Sequence, residues 1–393
     1  MTIDSPLRGI RVIELSSMIA GPIVGRLFGE LGADVVHVEP PYGDDGRNST
    51  TEFLGSEGVF HSMHNRSKRG LVVDIKQPDG RDVIRRLARE ADVLIENMTV
   101  GTLDDLGLGY EALRAENPRL VYVSISAWGR EGPLALLPGY DILIQGFTGA
   151  VQSPAPDLPP VLSPSLVGDP VAPLIAAFAT LVALRDRDAT GEGTHVTTSL
   201  LQAALHMRAT DGMIAEGDPG VGDWGSSGVG GLAVLETADG LFVVLCAWTD
   251  EHYRRLCELA DFEHGLAEQF ETRLGRMEHA EALNEVFAHW VGTMDRGDLV
   301  ALLRREGIPI APVNTDPREL LRDAGLRDAG MVVPIDHPTR GRFWQFGVPF
   351  ELDGRRGDVW PAPLLGEHSD DVLREYGFAD QEIADLRQSG TVA

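Results

Sequence analysis

Three stretches of the sequence carry side chains with enough chemistry to organise a site. Gly168-Asp169-Pro170 ends a proline-rich loop and opens the most apolar helical pattern in the chain. Pro170, with its fixed φ and missing N–H, suits the first helical position, and the Asp before it can cap the exposed backbone donors. The same placement points a carboxylate into a helix N-terminus, where the macrodipole favours the ionised form and thus a ready nucleophile. Taken alone, the tripeptide reads as a plain helix cap, as most Asp-Pro pairs at helix starts are. The second stretch, Asn65-Arg66-Ser67-Lys68-Arg69-Gly70, sets three cations within four residues of a chain that carries 60 acidic and 34 basic side chains. Arg and Lys supply the charge-assisted hydrogen bonds that the phosphates of a nucleotide-like ligand need, and a solvated basic turn is the alternative. The third, residues 217–231, is glycine-rich and reads as a hinge or lid, or as a surface linker. His61 and His64 are spaced H-x-x-H, but no third ligand is evident, so they read as loop or packing residues and no metal is expected.

These stretches need a scaffold, and the order of elements supplies one. Residues 10–15 read as a strand, 21–31 as a helix and 34–39 as a second strand, a βαβ unit. The turn at 16–22 lacks the G-x-G-x-x-G of dinucleotide sites, which disfavours a nicotinamide enzyme. A strand at 71–75, a helix at 78–91, a strand at 93–96 ending in Asn97, a helix at 110–116 and a strand at 120–126 continue the alternation, so the sheet is expected to be mainly parallel. Asn97 then stands at a carboxyl strand end, where open parallel sheets present ligand contacts. The helix after Asp169 is apolar all round and is expected to be buried; His206, on the following helix, reads as packed. A hairpin at 233–247 and amphipathic helices near 250–260, 279–294 and 298–305 form a smaller α+β region, and a strand at 344–352 and a terminal helix at 380–387 are expected to rejoin the first domain. The resulting division is 1–216, a glycine-rich linker at 217–231, 232–315, and a return segment at 316–393.

With 393 residues, 43 % of them hydrophobic, the chain has room for two to three domains with proper cores. A formal charge of −26 argues against nucleic acid and anionic membranes as partners, and any anionic ligand needs a local basic site. The two cysteines, Cys246 and Cys257, have no metal-site spacing and suggest a reducing compartment. The longest apolar run, 171–184, is shorter than the roughly 20 residues of a membrane span. With no apolar leader before the first strand, a cytoplasmic protein is expected.

Several stretches together resemble the family III CoA transferases, the group that includes formyl-CoA transferase and the carnitine and bile-acid CoA transferases. They are GIRVIELSSMIAGP, LGADVVHVE, NRSKRGLVVD, ADVLIENMTVGTLDDLGLGYEAL, NPRLVYVSISAWGREGP, PGYDIL, the GDP at 168–170, GEGTHVTTSLLQAA and PAPLLGEH, and their order and spacing span nearly the whole chain. The resemblance implies that Asp169 is the catalytic carboxylate, that Arg66, Lys68 and Arg69 lie near the CoA nucleotide, and that Ala20, Gly21 and Asn97 line the CoA cleft. It implies a mobile loop at Gly225, Gly228, Gly230 and Gly231, coenzyme A as a substrate moiety with no tightly bound cofactor, and an acyl-CoA and a carboxylic acid as partners. The implied architecture is an interlocked homodimer with a large Rossmann-like α/β domain and a smaller α+β domain. The implied reaction passes CoA from an acyl-CoA to a free acid through a covalent aspartyl-CoA thioester.

The chain also departs from the pattern. Ile19 stands where formyl-CoA transferases place a Gln, which puts an oxalate or formate substrate in doubt. His37 and Asp105 occupy places where many relatives are basic, which suggests lost phosphate contacts. The alternatives are an α-methylacyl-CoA racemase, whose His would fall at Tyr140, and a noncatalytic CoA-binding protein.

Overall fold

Short β-branched runs alternating with helical patterns become parallel strands joined by helices, because a strand buried on both faces needs helices to cover it. The computed structural model describes residues 5–48, 53–54, 57–151, 153, 157–163, 165–208, 232–262 and 268–393. Its larger unit, residues 1–208 with 323–393, is built on six strands: β1 (Arg11–Leu15), β2 (Asp34–Glu39), β3 (Arg69–Val72), β4 (Val93–Glu96), β5 (Val121–Ser126) and β6 (His195–Ser199). They pair in the order β3-β2-β1-β4-β5-β6, every pair parallel. This is the doubly wound order, in which the connection reverses direction between β1 and β4 and opens a crevice at their carboxyl ends.

The helices are α1 (Ala20–Glu30), α2 (Val59–His64), α3 (Pro78–Glu90), α4 (Tyr110–Glu116), α5 (Asp141–Phe147), α6 (Gly168–Thr190) and α7 (Leu200–Met207). Side chains alternate across the sheet. Val12, Val93 and Ile95 join a core with α1, α6 and α7, whereas Ile13, Leu15 and Leu94 join a second core with α3.

The second unit, residues 209–322, has its own core. There β7 (Leu232–Glu236) and β8 (Phe242–Cys246) form the expected hairpin, α8 (Asp250–Leu259), α9 (Ala280–Val291) and α10 (Arg296–Arg305) follow, and β9 (Ile310–Pro312) pairs antiparallel with β8. The chain then returns to the larger unit. Where a single strand is expected at 344–352, a hairpin forms instead, β10 (Val332–His337) against β11 (Gly341–Phe346). The pairing makes the strand, because β11 has polar residues that a local pattern does not mark. Helices α11 (Ser369–Glu375) and α12 (Asp380–Gln388) close the second core through Val372, Leu373, Tyr376 and Ile383.

Helix α6 departs from expectation in two ways. It runs for 23 residues, long and apolar enough to cross a membrane by length and composition, yet Ala172, Ala176, Thr180 and Ala183 pack it into the larger unit. It is not buried all round: Leu174, Phe178, Leu181 and Val182, spaced to share one face, remain exposed.

Close backbone approach sets one further requirement. A Cβ on Gly29 of α1 would lie 1.9 Å from the Ser67 carbonyl oxygen, so the helix rests directly on the segment that leads into β3. Replacing a helical Gly by Ala ordinarily adds up to about 1 kcal/mol of helix stability. Gly29→Ala is expected instead to lower the melting temperature, because the backbone it meets cannot retreat; an unchanged or raised melting point would contradict this packing.

Candidate active site

The crevice between β1 and β4 is a cavity of about 480 Å³ lined by the turn after β1 (Ser17 to Ala20), the turn after β4 (Asn97 to Thr102), the loop after β5 and the starts of α6 and α7. Asp169 lies in it, with Ala20 and Asn97. Gly21, buried in the first turn of α1, adjoins them; a Cβ there would lie 2.2 Å from Ser16 Cβ and 3.4 Å from Asn97 Cγ, so only Gly lets α1 start this close to the crevice. Asn97 ties the two turns together: its Oδ1 accepts from Ser17 N at 2.9 Å and its Nδ2 donates to Ser17 O at 2.8 Å. The turn after β1 holds Met18 at φ 68°, a left-handed conformation that costs a non-glycine residue about 1–2 kcal/mol and must be held by its surroundings.

Asp169 is not the cap of α6. The helix begins at Gly168 with Val167 as its N-cap, so Asp169 lies within the first turn and Pro170 one position further in. The capping carboxylate comes from α5: Asp141 Oδ1 accepts from Val167 N at 3.0 Å, Gly168 N at 2.6 Å and Asp169 N at 3.0 Å. Asp141 is buried and Asp169 half-buried. This frees the Asp169 carboxylate from capping, and Asp169 lines the cavity. The electrostatics also differ from the sequence expectation of a carboxylate favoured by the helix dipole. Burial, and secondarily the neighbouring Asp141 charge, push the Asp169 pKa up to about 7.

The three cations of residues 66–69 are placed differently from the picture of free phosphate ligands. Arg66 is buried and paired with Glu30 at 2.7 Å, and also donates to Gln345 Oε1 and the Phe346 carbonyl. Lys68 is buried against Glu14 at 2.8 Å and Asn65 at 2.8 Å. Arg69 keeps a fifth of its side chain exposed and bridges Asp34 and Glu375. None of the three lines the Asp169 cavity. His37 is wholly buried. His61 is buried beside Asn65, and His64 packs edge-on to Phe60. Gly225, Gly228, Gly230 and Gly231, with the rest of 217–231, lie outside the described residues.

Sequence reasoning missed a second cavity and two side chains. A cleft of about 460 Å³ opens at the ends of β1, β2 and β3, and shares Ser17, Asp45, Met98 and Thr102 with the Asp169 cavity, so the two adjoin. Exposed Lys76 lies on its wall; its position just past a carboxyl strand end was the available signal. The capping role of Asp141 had none, since 27 residues separate it from Gly168.

A family model described as CoA-transferase family III matches residues 7–369. The chain belongs to this family. This CoA-transferase family member is 30 % identical to the formyl-CoA:oxalate CoA-transferase of Rhodopseudomonas palustris (strain HaA2), covering 98 % of this chain and 97 % of that one. Against the formyl-CoA:oxalate CoA-transferase of Escherichia coli O81 (strain ED1a) the identity is 28 %, over 99 % and 100 % of the two chains. In structure it is similar to a CaiB/BaiF family protein from Brucella suis, with a TM-score of 0.81 and 31 % identity over 95 % and 99 % of the chains.

Two substitutions test the electrostatics of this cavity. A carboxyl whose folded pKa is raised to about 7 destabilises the fold progressively as pH rises from the ordinary carboxylate range through 7. Asp169→Asn is therefore expected to melt higher than the parent above pH 7, with the advantage vanishing as pH falls toward 4, and parallel melting curves across that window would contradict the assignment. Asp141→Asn removes a neighbouring charge and keeps an oxygen for the backbone. It is expected to move the acidic limb of kcat/KM for acyl-CoA to lower pH, and an unmoved limb would show that Asp141 does not act on Asp169.

Proposed function

We propose that the protein transfers CoA from an acyl-CoA to a free carboxylic acid through a thioester formed on Asp169. The observation that carries this reading is the Asp169 carboxylate itself. It is half-buried at the switch-point crevice, relieved of capping by Asp141, and receives no hydrogen bond from any described residue. A partly desolvated carboxylate held this way is a better nucleophile than one saturated by donors. Asp169 attacks the acyl carbonyl, the C–S bond breaks, and a mixed anhydride and CoA thiolate form. The thiolate then attacks the aspartyl carbonyl and releases the first acid. The acceptor carboxylate runs the same steps in reverse. A pKa near 7 makes the first step faster as Asp169 ionises, so kcat/KM for the donor is expected to rise through pH 7.

The walls favour an apolar acyl group. Met18, Ile19, Ala20, Ala135, Leu137 and Leu200 line the cavity with Asp169, alongside polar residues such as Asn97 and Ser126, and the charged side chains among the described lining residues are Asp45 and Asp169. The second carboxylate of an oxalyl group would meet negative charge there, whereas a short aliphatic chain meets matching surface. The relatives named for formyl-CoA and oxalate thus share the reaction class rather than the preferred acid. The adjoining cleft with Lys76 suits the nucleotide end of CoA, since Arg66 and Lys68 are engaged with Glu30 and Glu14. The homodimer of the sequence reading is retained as a proposal, with the Leu174, Phe178, Leu181 and Val182 face of α6 covered by a second copy.

The experiment is intact-mass analysis after incubation with a panel of acyl-CoAs, followed by acceptor competition. A mass gain of one CoA mapping to the peptide of Asp169, absent in Asp169→Asn, is expected, with short aliphatic acids outcompeting oxalate as acceptors. Absence of any adduct together with exchange of the α-proton would instead point to racemisation, and a preference for oxalate would overturn the apolar assignment. Light scattering at twice the chain mass is expected for the dimer; a monomer would refute it.

A further inference from the structure

Beneath the turn that forms one wall of the Asp169 cavity lies a buried cluster of charges that the transfer chemistry does not use. Glu14, on the central strand β1, is fully enclosed. Its carboxylate accepts from Ser16 Oγ at 3.0 Å, His37 Nδ1 at 2.8 Å and Lys68 Nζ at 2.8 Å. On the far side of the His37 ring, Nε2 faces Asp44 Oδ2 at 3.5 Å. The other oxygen of Asp44 accepts from Ser17 Oγ at 2.9 Å, Met18 N at 3.1 Å and Gly46 N at 2.7 Å. A continuous path of charge and hydrogen bonds thus runs from the middle of the sheet to the residue held at positive φ in the cavity wall.

We propose that His37 is a positioning residue of the CoA-transferase site: its imidazolium, held between Glu14 and Asp44, keeps the Asp44 carboxylate where it fixes Ser17 and Met18 in the conformation that binds the thioester. The proposal rests on the reading of this cavity as the acyl-CoA site. The charge count supports it. The groups facing His37 are Glu14 from β1, Glu39 on its own strand, Asp44 and Arg47 from the turn after β2, His61 from α2 and, through Glu14, Lys68. Three carboxylates against Lys68 and Arg47 leave one negative charge, which a proton on His37 cancels. Burial alone would strip that proton, but Glu14 and Asp44 outweigh it and raise the His37 pKa to about 9.

The same atoms invite a different reading. His37, Asp44 and His61, all buried, can each bring one ligand atom within 4.8 Å of the others, a spacing that could hold a divalent cation. The direction of the hydrogen bonds argues against it. Lys68 Nζ can only donate, so Asn65 gives it Oδ1 at 2.8 Å and turns its amide toward His61 Nδ1 at 3.0 Å. His61 therefore carries its proton on Nε2, the atom a metal would need bare. Burial, with Arg47 nearby, lowers the His61 pKa to about 3 and keeps that ring neutral. On this reading Asp44 Oδ2 faces the His37 ring as a charge contact at 3.5 Å rather than as a metal ligand.

The test combines ring chemistry with kinetics. Heteronuclear NMR of the parent protein is expected to show both His37 ring nitrogens protonated at neutral pH, with the proton lost near pH 9. A neutral His37 ring at pH 7, or stoichiometric metal in the purified protein, would overturn the proposal. In steady state, His37→Gln is expected to raise KM for acyl-CoA on the order of tenfold with a smaller effect on kcat, as a displaced binding wall should. His37→Lys, which restores the charge, is expected to recover most of that loss. An unchanged KM in His37→Gln, or no difference between the Gln and Lys variants, would refute the positioning role. If the parent turns over no acyl-CoA, the transferase reading fails, while the ring NMR still decides the charge on His37. If the Gln variant does not fold, the NMR of the parent and the Lys variant decide the matter.

Discussion

A carboxylate in the middle of a buried parallel sheet must be neutralised by groups brought to it, and in this protein that requirement shapes the site. Glu14 sits on β1, one strand position from the turn that lines the Asp169 cavity, and is met by Ser16, His37 and Lys68. Leaving such a charge unpaired costs several kcal/mol, so the elements carrying its partners are constrained together. Gly25 of α1 leaves room for the carboxylate, since a Cβ there would lie 1.6 Å from Glu14 Oε2. The segment before β3 is drawn in by Lys68, and the turn after β2 by His37 and Asp44. The cavity wall is the outer end of this arrangement, with Met18 held at positive φ by a charge whose balance is set three contacts away.

A second carboxylate does comparable work on the opposite wall. Asp141 fills the donors of the α6 N-terminus, which spares Asp169 from that task and places a like charge beside it. One side chain therefore positions the candidate nucleophile and raises its pKa. Both walls follow one principle: buried carboxylates fix backbone turns, and the turns line the cavity.

Much of this was legible in the sequence. The β-branched strand runs and the helical segments between them gave the parallel sheet, and Asn97 at the end of β4 marked the crevice. Asp169, Ala20, Gly21 and Asn97 do converge there. What escaped were pairings between distant residues. Arg66, Lys68 and Arg69 look like free cations in the sequence because Glu30, Glu14, Asp34 and Glu375 become their neighbours only when the sheet forms. Asp169 looks like a cap because the true cap lies in another helix. The β10–β11 hairpin was hidden for the same reason, since its register is set by cross-strand partners rather than by a local period. Helix α6 seemed wholly buried because its sequence is apolar on all sides, while a single chain covers only part of its surface.

The central claim is that the Asp169 carboxylate becomes covalently joined to each acid in turn. If so, an oxygen atom of the acceptor acid must be left on the aspartate when the anhydride is opened by CoA thiolate. The direct measurement is the mass of the peptide containing Asp169 after turnover with an acceptor acid labelled with heavy oxygen in its carboxylate. The account predicts one heavy oxygen on that peptide after a single turnover and progressive replacement of both carboxylate oxygens thereafter. A peptide of unchanged mass after many turnovers, with the oxygen lost by each acceptor found in the released donor acid or in water, would contradict it.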